Sequence, residues 1–159
     1  MKITLICVGK IKEKFYRDAI DEYMKRLSRY CKTGIIEVED EECPEGASVA
    51  TEDAVRKKEG ERILKKIPAS AYVYALAIQG KKTDSVGFSE ELNKHFVSGK
   101  SEICFIIGGS IGLCDEVLKR ADSLLSFSDF TFPHQLMRVI LSEQIYRAFR
   151  IMNHEPYHK

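Results

Sequence analysis

Short unbroken apolar runs alternate along this chain with longer charged stretches whose apolar residues recur at helical spacing. The runs fall at residues 1–8, 33–39, 71–78, 102–107 and 124–127. A run without polar alternation fits a strand buried on both faces, as in a parallel sheet covered by helices. Between the first two runs, Tyr16, Ile20, Tyr23, Leu27 and Tyr30 share one face of a helix over residues 13–31. Residues 48–67 form a highly charged helix that Pro68 ends. Ser89 with Glu90 and Glu91 opens a helix to residue 97, capping oxygen first and acids in the first turn. A short helix follows at residues 115–121. Pro133 starts the last one, to residue 153, with Leu141, Ile145, Ala148 and Met152 on its apolar face. The alternation predicts an α/β fold, a mainly parallel sheet flanked by helices. No repeat or linker divides residues 1–159, which read as a single domain.

Three strand ends share a character: Leu76-Ala77-Ile78-Gln79-Gly80, the loop Gly108 to Gly112, and Phe127 to Phe132. In parallel sheets, ligands sit in the crevice beyond the carboxyl ends of the strands. Gly108, Gly109 and Gly112 place no side chain in a ligand's way. If the three strands are neighbours, their loops enclose a pocket of backbone amides, carbonyls and apolar side chains. Such a pocket suits a neutral adenine nucleoside better than a triphosphate. A tight turn would account for the glycines alone. The segment Phe130-Thr131-Phe132-Pro133 asks for more, because its aromatics must pack on a core, a ligand or another chain. The last helix, carrying Leu141, Ile145 and Phe149, shows more apolar surface than one small sheet covers, which points to twofold pairing.

Composition narrows the classes. With 44% apolar and 31% charged residues the chain is ordinary globular protein. No stretch approaches the ~20 apolar residues of a membrane span, and the run at residues 3–8 is too short for a signal-peptide core. A cytoplasmic protein without a membrane partner is expected. Five cysteines (Cys7, Cys31, Cys43, Cys104 and Cys114) include no C-x-x-C pair, so neither a disulfide framework nor a metal site is expected. A net charge of +1 excludes a strongly basic nucleic-acid binder but not a local basic surface. Lys10, Lys12, Lys14 and Arg17 cluster early, and Arg138, Arg147, Arg150 and Lys159 late. An acidic loop containing Glu39, Asp40, Glu41 and Glu42 lies between. Each basic set is either a binding surface or a solvated face.

The dinucleotide fingerprint is absent: Gly108-Gly109-Ser110-Ile111-Gly112 lacks the G-x-G-x-x-G spacing and follows a late strand. Asp129 does lie where a ribose-binding acid could, about 20 residues beyond the glycines. No G-K-[ST] follows them, so there is no P-loop.

Taken together, four segments resemble the bacterial large-subunit ribosomal RNA pseudouridine N3-methyltransferase family of the SPOUT superfamily. They are residues 106–113, residues 125–138, Glu143-Gln144-Ile145-Tyr146-Arg147-Ala148, and Pro156-Tyr157-His158-Lys159. The Met1-Lys2-Ile3 opening and the Val8-Gly9-Lys10 turn match as well. The resemblance covers the whole chain. It implies a SPOUT-type α/β fold with a C-terminal trefoil knot, a homodimer, S-adenosylmethionine as methyl donor and the 23S RNA of assembled ribosomes as substrate. Its cofactor pocket falls on Leu76, Gly108 and Phe127, Ser128, Asp129, Phe130, Thr131 and Phe132. The tail Tyr157-His158-Lys159 matches the end that completes a partner subunit's active site in the family. His154 departs from the family's usual glycine, at a place where histidine tolerates left-handed backbone better than most residues.

A methyl carried on a sulfonium needs neither metal nor covalent nucleophile. The demands on the protein are alignment and removal of the N3 proton. Candidates are His134, Arg138, Glu143, Tyr157 and His158. Glu143 and Arg147, four apart on one helix, read equally as a surface ion pair, and His134 as a helix-start polar residue. Two other classes stay open: a nucleotide-dependent enzyme of the same fold using Asp129, and a non-catalytic ribosome-binding module.

Overall fold

The computed structural model describes residues 1–159. The chain runs β1 (Lys2–Val8), α1 (Lys14–Leu27), β2 (Lys32–Val38), α2 (Val49–Leu64), β3 (Tyr72–Lys82), α3 (Ser85–Val97), β4 (Glu102–Ile107), α4 (Asp115–Arg120), β5 (Ser123–Ser126) and α5 (His134–Met152). The five strands form one sheet in the order β2-β1-β4-β3-β5, and every pairing is parallel. The expected α/β architecture is therefore present.

Alternate residues of each strand feed two cores, as the two-residue period requires. Ile3, Leu5, Tyr74 and Phe105 pack with Leu27 of α1, Leu92 of α3 and Leu141 and Ile145 of α5. On the other face, Ile6, Val73, Cys104 and Ile106 pack with Ile63 of α2 and Val117 of α4. Cys7 sits deep in the first core, where burial pushes its thiol up to about 12, so it acts as a small apolar filler.

This packing corrects one expectation. Leu141 and Ile145 are fully buried and Phe149 nearly so, covered by α1 and α3 of the same chain. The large apolar face of α5 is the chain's own core and says nothing of a partner. The uncovered phenylalanines lie elsewhere, at Phe15 on α1 and at Phe130 and Phe132 after β5.

Two boundaries also shift. Helix α3 begins at Ser85, because the Asp84 carboxylate accepts the Gly87 N–H at 2.7 Å and caps it. Ser89 is then a buried mid-helix residue whose hydroxyl donates to the Ala148 carbonyl at 2.9 Å, tying α3 to α5. Strand β3 does not stop at Gly80 but continues to Lys82, with a register break between Leu76 and Lys81 against β5. Gly80 sits at the crossing: a Cβ there would lie 2.7 Å from backbone atoms of Leu124 and Leu125. Only glycine lets the two backbones pass this closely.

Candidate active site

Strands β4, β3 and β5 are consecutive in the sheet, so the three strand ends do converge. Beyond them lies a cavity of about 1210 Å³. Its walls include Leu76 and Ile78 of β3, the Gly108–Gly112 loop after β4, and Phe127, Ser128, Phe130, Thr131 and Phe132 after β5. His134 and Met137 of α5 close one side. The volume lies above the usual ~300–1,000 Å³ of a single small-molecule site.

The glycine loop is a tight turn in its own right. Gly112 takes φ 84° and donates its N–H to the Gly109 carbonyl at 3.1 Å. A Cβ on Gly108 would stand 3.0 Å from the Gly112 carbonyl carbon and from Leu113 Cδ2. The first obstacle to a side chain at Gly108 is thus the loop itself, with the ligand space second. In the loop after β5, Ser128 Oγ accepts the Phe130 N–H at 3.0 Å, and the Ser126 hydroxyl donates to the Ser128 carbonyl at 3.2 Å. These bonds turn Phe130 outward, where it is 77% exposed. Asp129 does not line the cavity. Its carboxylate points to solvent and pairs with Lys82 Nζ at 2.5 Å, so it does not take the place of a ribose acid.

His134 is the first residue of α5 and lines the cavity. Burial, then the nearby Arg138 charge, hold its imidazole below the usual histidine range. It is therefore neutral near pH 7 and able to accept a proton. Arg138, one turn further along, is fully buried and does not reach the cavity. Its Nη2 donates to the Val8 and Gly9 carbonyls at 2.8 and 2.7 Å, and Nη1 lies 3.4 Å from Glu37 Oε2. Arg138 therefore locks the end of β1 to the start of α5 from within.

The other three candidates form a separate group, away from the cavity. Glu143 accepts from Arg147 Nη2 at 2.6 Å, from Gln144 at 2.7 Å and from the Tyr157 hydroxyl at 3.1 Å. Arg147 also lies over the Tyr157 ring at 4.7 Å and 3.4 Å from His158 Nδ1. Burial, then the Glu143 charge, push the Tyr157 phenol up to about 12, so it is a donor and not a base at neutral pH. Glu143 and Arg147 do form the ion pair that their spacing suggests, but inside a network that also holds the tail.

The tail is not frayed. His154 takes φ 54°, His154 N–H donates to the Ile151 carbonyl and Glu155 N–H to the Arg150 carbonyl. That is a Schellman-type helix end with histidine where glycine is favoured. Glu155 then takes hydrogen bonds from Tyr30 and Arg150, pinning the tail to the connection between α1 and β2.

A family model described as "Predicted SPOUT methyltransferase" matches residues 1–158. The chain belongs to the SPOUT methyltransferase family. It is 59% identical to the ribosomal RNA large subunit methyltransferase H of Limosilactobacillus reuteri, over all of both chains. To the protein of that name from Bifidobacterium adolescentis it is 61% identical, again over all of both. Among solved structures, a probable methylase family protein from Haemophilus influenzae superposes with a TM-score of 0.54 at 17% identity, covering 99% of this chain and 70% of that one. The tRNA (m1G37) methyltransferase of Aquifex aeolicus superposes at 0.50 with 15% identity, covering 92% and 70%. Those two likenesses speak to the shared fold.

In this SPOUT chain, helix α2 contributes cavity residues that sequence reasoning missed. Arg56 lines the wall and donates to the Ile111 carbonyl at 3.2 Å, and Asp53 and Lys57 stand beside it. They lie in a uniformly charged helix, where nothing in the local pattern separates a loop-holding arginine from a solvated one.

Proposed function

We propose that this chain is an S-adenosylmethionine-dependent methyltransferase that methylates N3 of a pseudouridine in the 23S RNA of assembled ribosomes. The observation that carries the reading is the cavity at three adjacent strand ends of a SPOUT chain, together with full-length identity of about 60% to large-subunit ribosomal RNA methyltransferases. The residues present suit the cofactor. Leu76 and Phe127 offer apolar walls, and the Gly108–Gly112 loop offers backbone at close range.

When bound, S-adenosylmethionine supplies an electrophilic methyl, so alignment does most of what is required of the protein. Leu76, Gly108, Phe127, Ser128, Thr131 and Phe132 would hold the nucleoside, and exposed Phe130 would cover the mouth. Asp129 acts only through Lys82, fixing the loop. His134, neutral and at the cavity wall, is the best-placed acceptor for the N3 proton. Arg138 serves as a positioning residue for His134, since its guanidinium is spent on carbonyls at the end of β1. Glu143 is a poor base, with three residues, Gln144, Arg147 and Tyr157, already donating to it.

Within one chain, Tyr157 and His158 do not reach the cavity: Glu143 and Arg147 stand roughly 13 and 20 Å along α5 from His134 at 1.5 Å per residue. A homodimer in which each tail serves the other subunit's cavity reconciles the two sites. Exposed Ile78, Phe130 and Phe132 offer apolar surface beside the mouth. The trefoil knot belongs to this reading as a property of the family it resembles, and a ribosomal substrate fits a cytoplasmic protein. The same aromatic, proton-accepting cavity speaks against a purely non-catalytic ribosome-binding module.

The test is transfer of labelled methyl from S-adenosylmethionine to ribosomes from cells lacking the gene, with free 23S RNA in parallel. Incorporation near one methyl per ribosome, and little into free RNA, is the expected result. No incorporation by protein that binds the cofactor would overturn the reading.

A further inference from the structure

Glu59 of α2 is the one carboxylate buried in the second core, 4% exposed, three residues beyond the loop-holding Arg56. Its Oε1 accepts the Glu41 N–H at 3.1 Å. Its Oε2 is buried with no hydrogen-bond partner. Arg62, whose charge acts on it, directs its donors to the Glu39 carbonyl at 2.8 Å and to the Glu41 carboxylate instead. Burial, with Asp40 and Glu41 close by, pushes the Glu59 carboxyl up from the usual range.

Such an oxygen is expensive to keep, because a buried acceptor without a donor loses its water and gains nothing. Glutamine would fit the same space and hold the same Glu41 N–H without a charge. The free oxygen does have a neighbour. It lies directly under the glycine loop, 3.1 Å from where a Cβ of Gly109 would stand, with Val8 on the other side at 3.2 Å. Glu59 thus connects the acidic loop after β2 to the floor of the cavity, and it explains why residue 109 has no side chain.

We propose that Glu59 is a positioning residue for the glycine loop, and that Oε2 receives a backbone N–H of the Gly109-Ser110 segment when the cofactor is seated. The bond holds the loop backbone in the one orientation that serves the nucleoside. Glu59 touches neither cofactor nor RNA. This inference rests on the reading of the cavity as an S-adenosylmethionine site.

The test is Glu59→Gln, which keeps an acceptor for Glu41 N–H and turns the free acceptor into a donor. Calorimetry with S-adenosylmethionine should show affinity lowered by about tenfold, the size of one hydrogen bond to a charged group. The melting temperature should be unchanged or higher, since a buried charge has gone. Hydrogen exchange should show the 108–112 amides protected by cofactor in wild type and not in the variant. Wild-type affinity in Glu59→Gln, or an affinity loss that comes with a lower melting temperature, overturns the proposal. If wild type itself binds no S-adenosylmethionine, the reading of the cavity fails instead.

Discussion

The Tyr157 hydroxyl donates to the Glu143 carboxylate at 3.1 Å, joining the end of the chain to the middle of α5. Arg147 packs on the same ring, and Tyr146 meets it edge-on at 5.0 Å between centroids. Last residues usually fray. Here Glu143, Arg147 and Tyr146 converge on Tyr157 to hold the tail, on a surface that the cavity does not reach.

If that tail acts on a second subunit's cavity, deleting Tyr157-His158-Lys159 leaves S-adenosylmethionine affinity within a few-fold and lowers methyl transfer to ribosomes by about 100-fold or more. Purified heterodimers pairing the deletion with a Gly108→Val chain should recover activity at one of two sites. Inactive heterodimers would place tail and cavity in the same subunit.

Gly108→Val tests the cavity. A Cβ there already meets the Gly112 carbonyl carbon and Leu113 at 3.0 Å, so the larger side chain must displace the loop. Calorimetry should show no S-adenosylmethionine binding, and far-UV circular dichroism should stay near wild type because the sheet ends at Ile107. Retained affinity in the folded variant would refute the assignment.

For Arg138, a structural strut and a catalytic group predict different results. Arg138→Met removes two hydrogen bonds, to the Val8 and Gly9 carbonyls at the end of β1, at a cost of about 2–4 kcal/mol. For a chain of this size the melting temperature should fall by roughly 5–12 °C. A native melting temperature with activity lost would show instead that the guanidinium acts on substrate.

The acid side of the rate profile belongs to His134. Its folded-state range lies below the ordinary value, so the neutral form that accepts a proton persists until the pH drops beneath that lowered range. Methyl transfer at saturating cofactor should decline there, and His134→Asn should be slow and lose that limb. The sign for stability follows from the same shift. The unfolded chain takes up the proton first, so His134 costs stability as the pH falls below about 6.5, and the cost levels off below the folded-state range. A mutant that keeps the acid limb would assign it to another group.

Much of this fold is legible in periodicity, because unbroken apolar runs between helical stretches are what a parallel sheet covered on both faces requires. The three converging strand ends follow from the same pattern. Long-range effects are what the pattern hides. Gly80 reads as a stop because its reason for being glycine is the backbone of Leu124 and Leu125, remote in sequence. Ser89 reads as a cap because the pattern does not show that Ala148 lies opposite its hydroxyl. Leu141 and Ile145 read as unpartnered because nothing local assigns α1 and α3 to cover them. Arg138 and Glu59 sit among other charges, and only packing shows one bound to strand-end carbonyls and the other set beneath the glycine loop.

The central claim is that this cavity methylates N3 of a pseudouridine in 23S RNA. Nucleoside mass spectrometry of 23S RNA from cells with and without the gene tests it most directly. The account predicts one N3-methylpseudouridine per ribosome in wild type, unmethylated pseudouridine at that position in the deletion strain, and restoration by the wild-type gene but not by Gly108→Val. An unchanged nucleoside profile in the deletion strain, or a lost methyl mapped to another atom or another RNA, would contradict it.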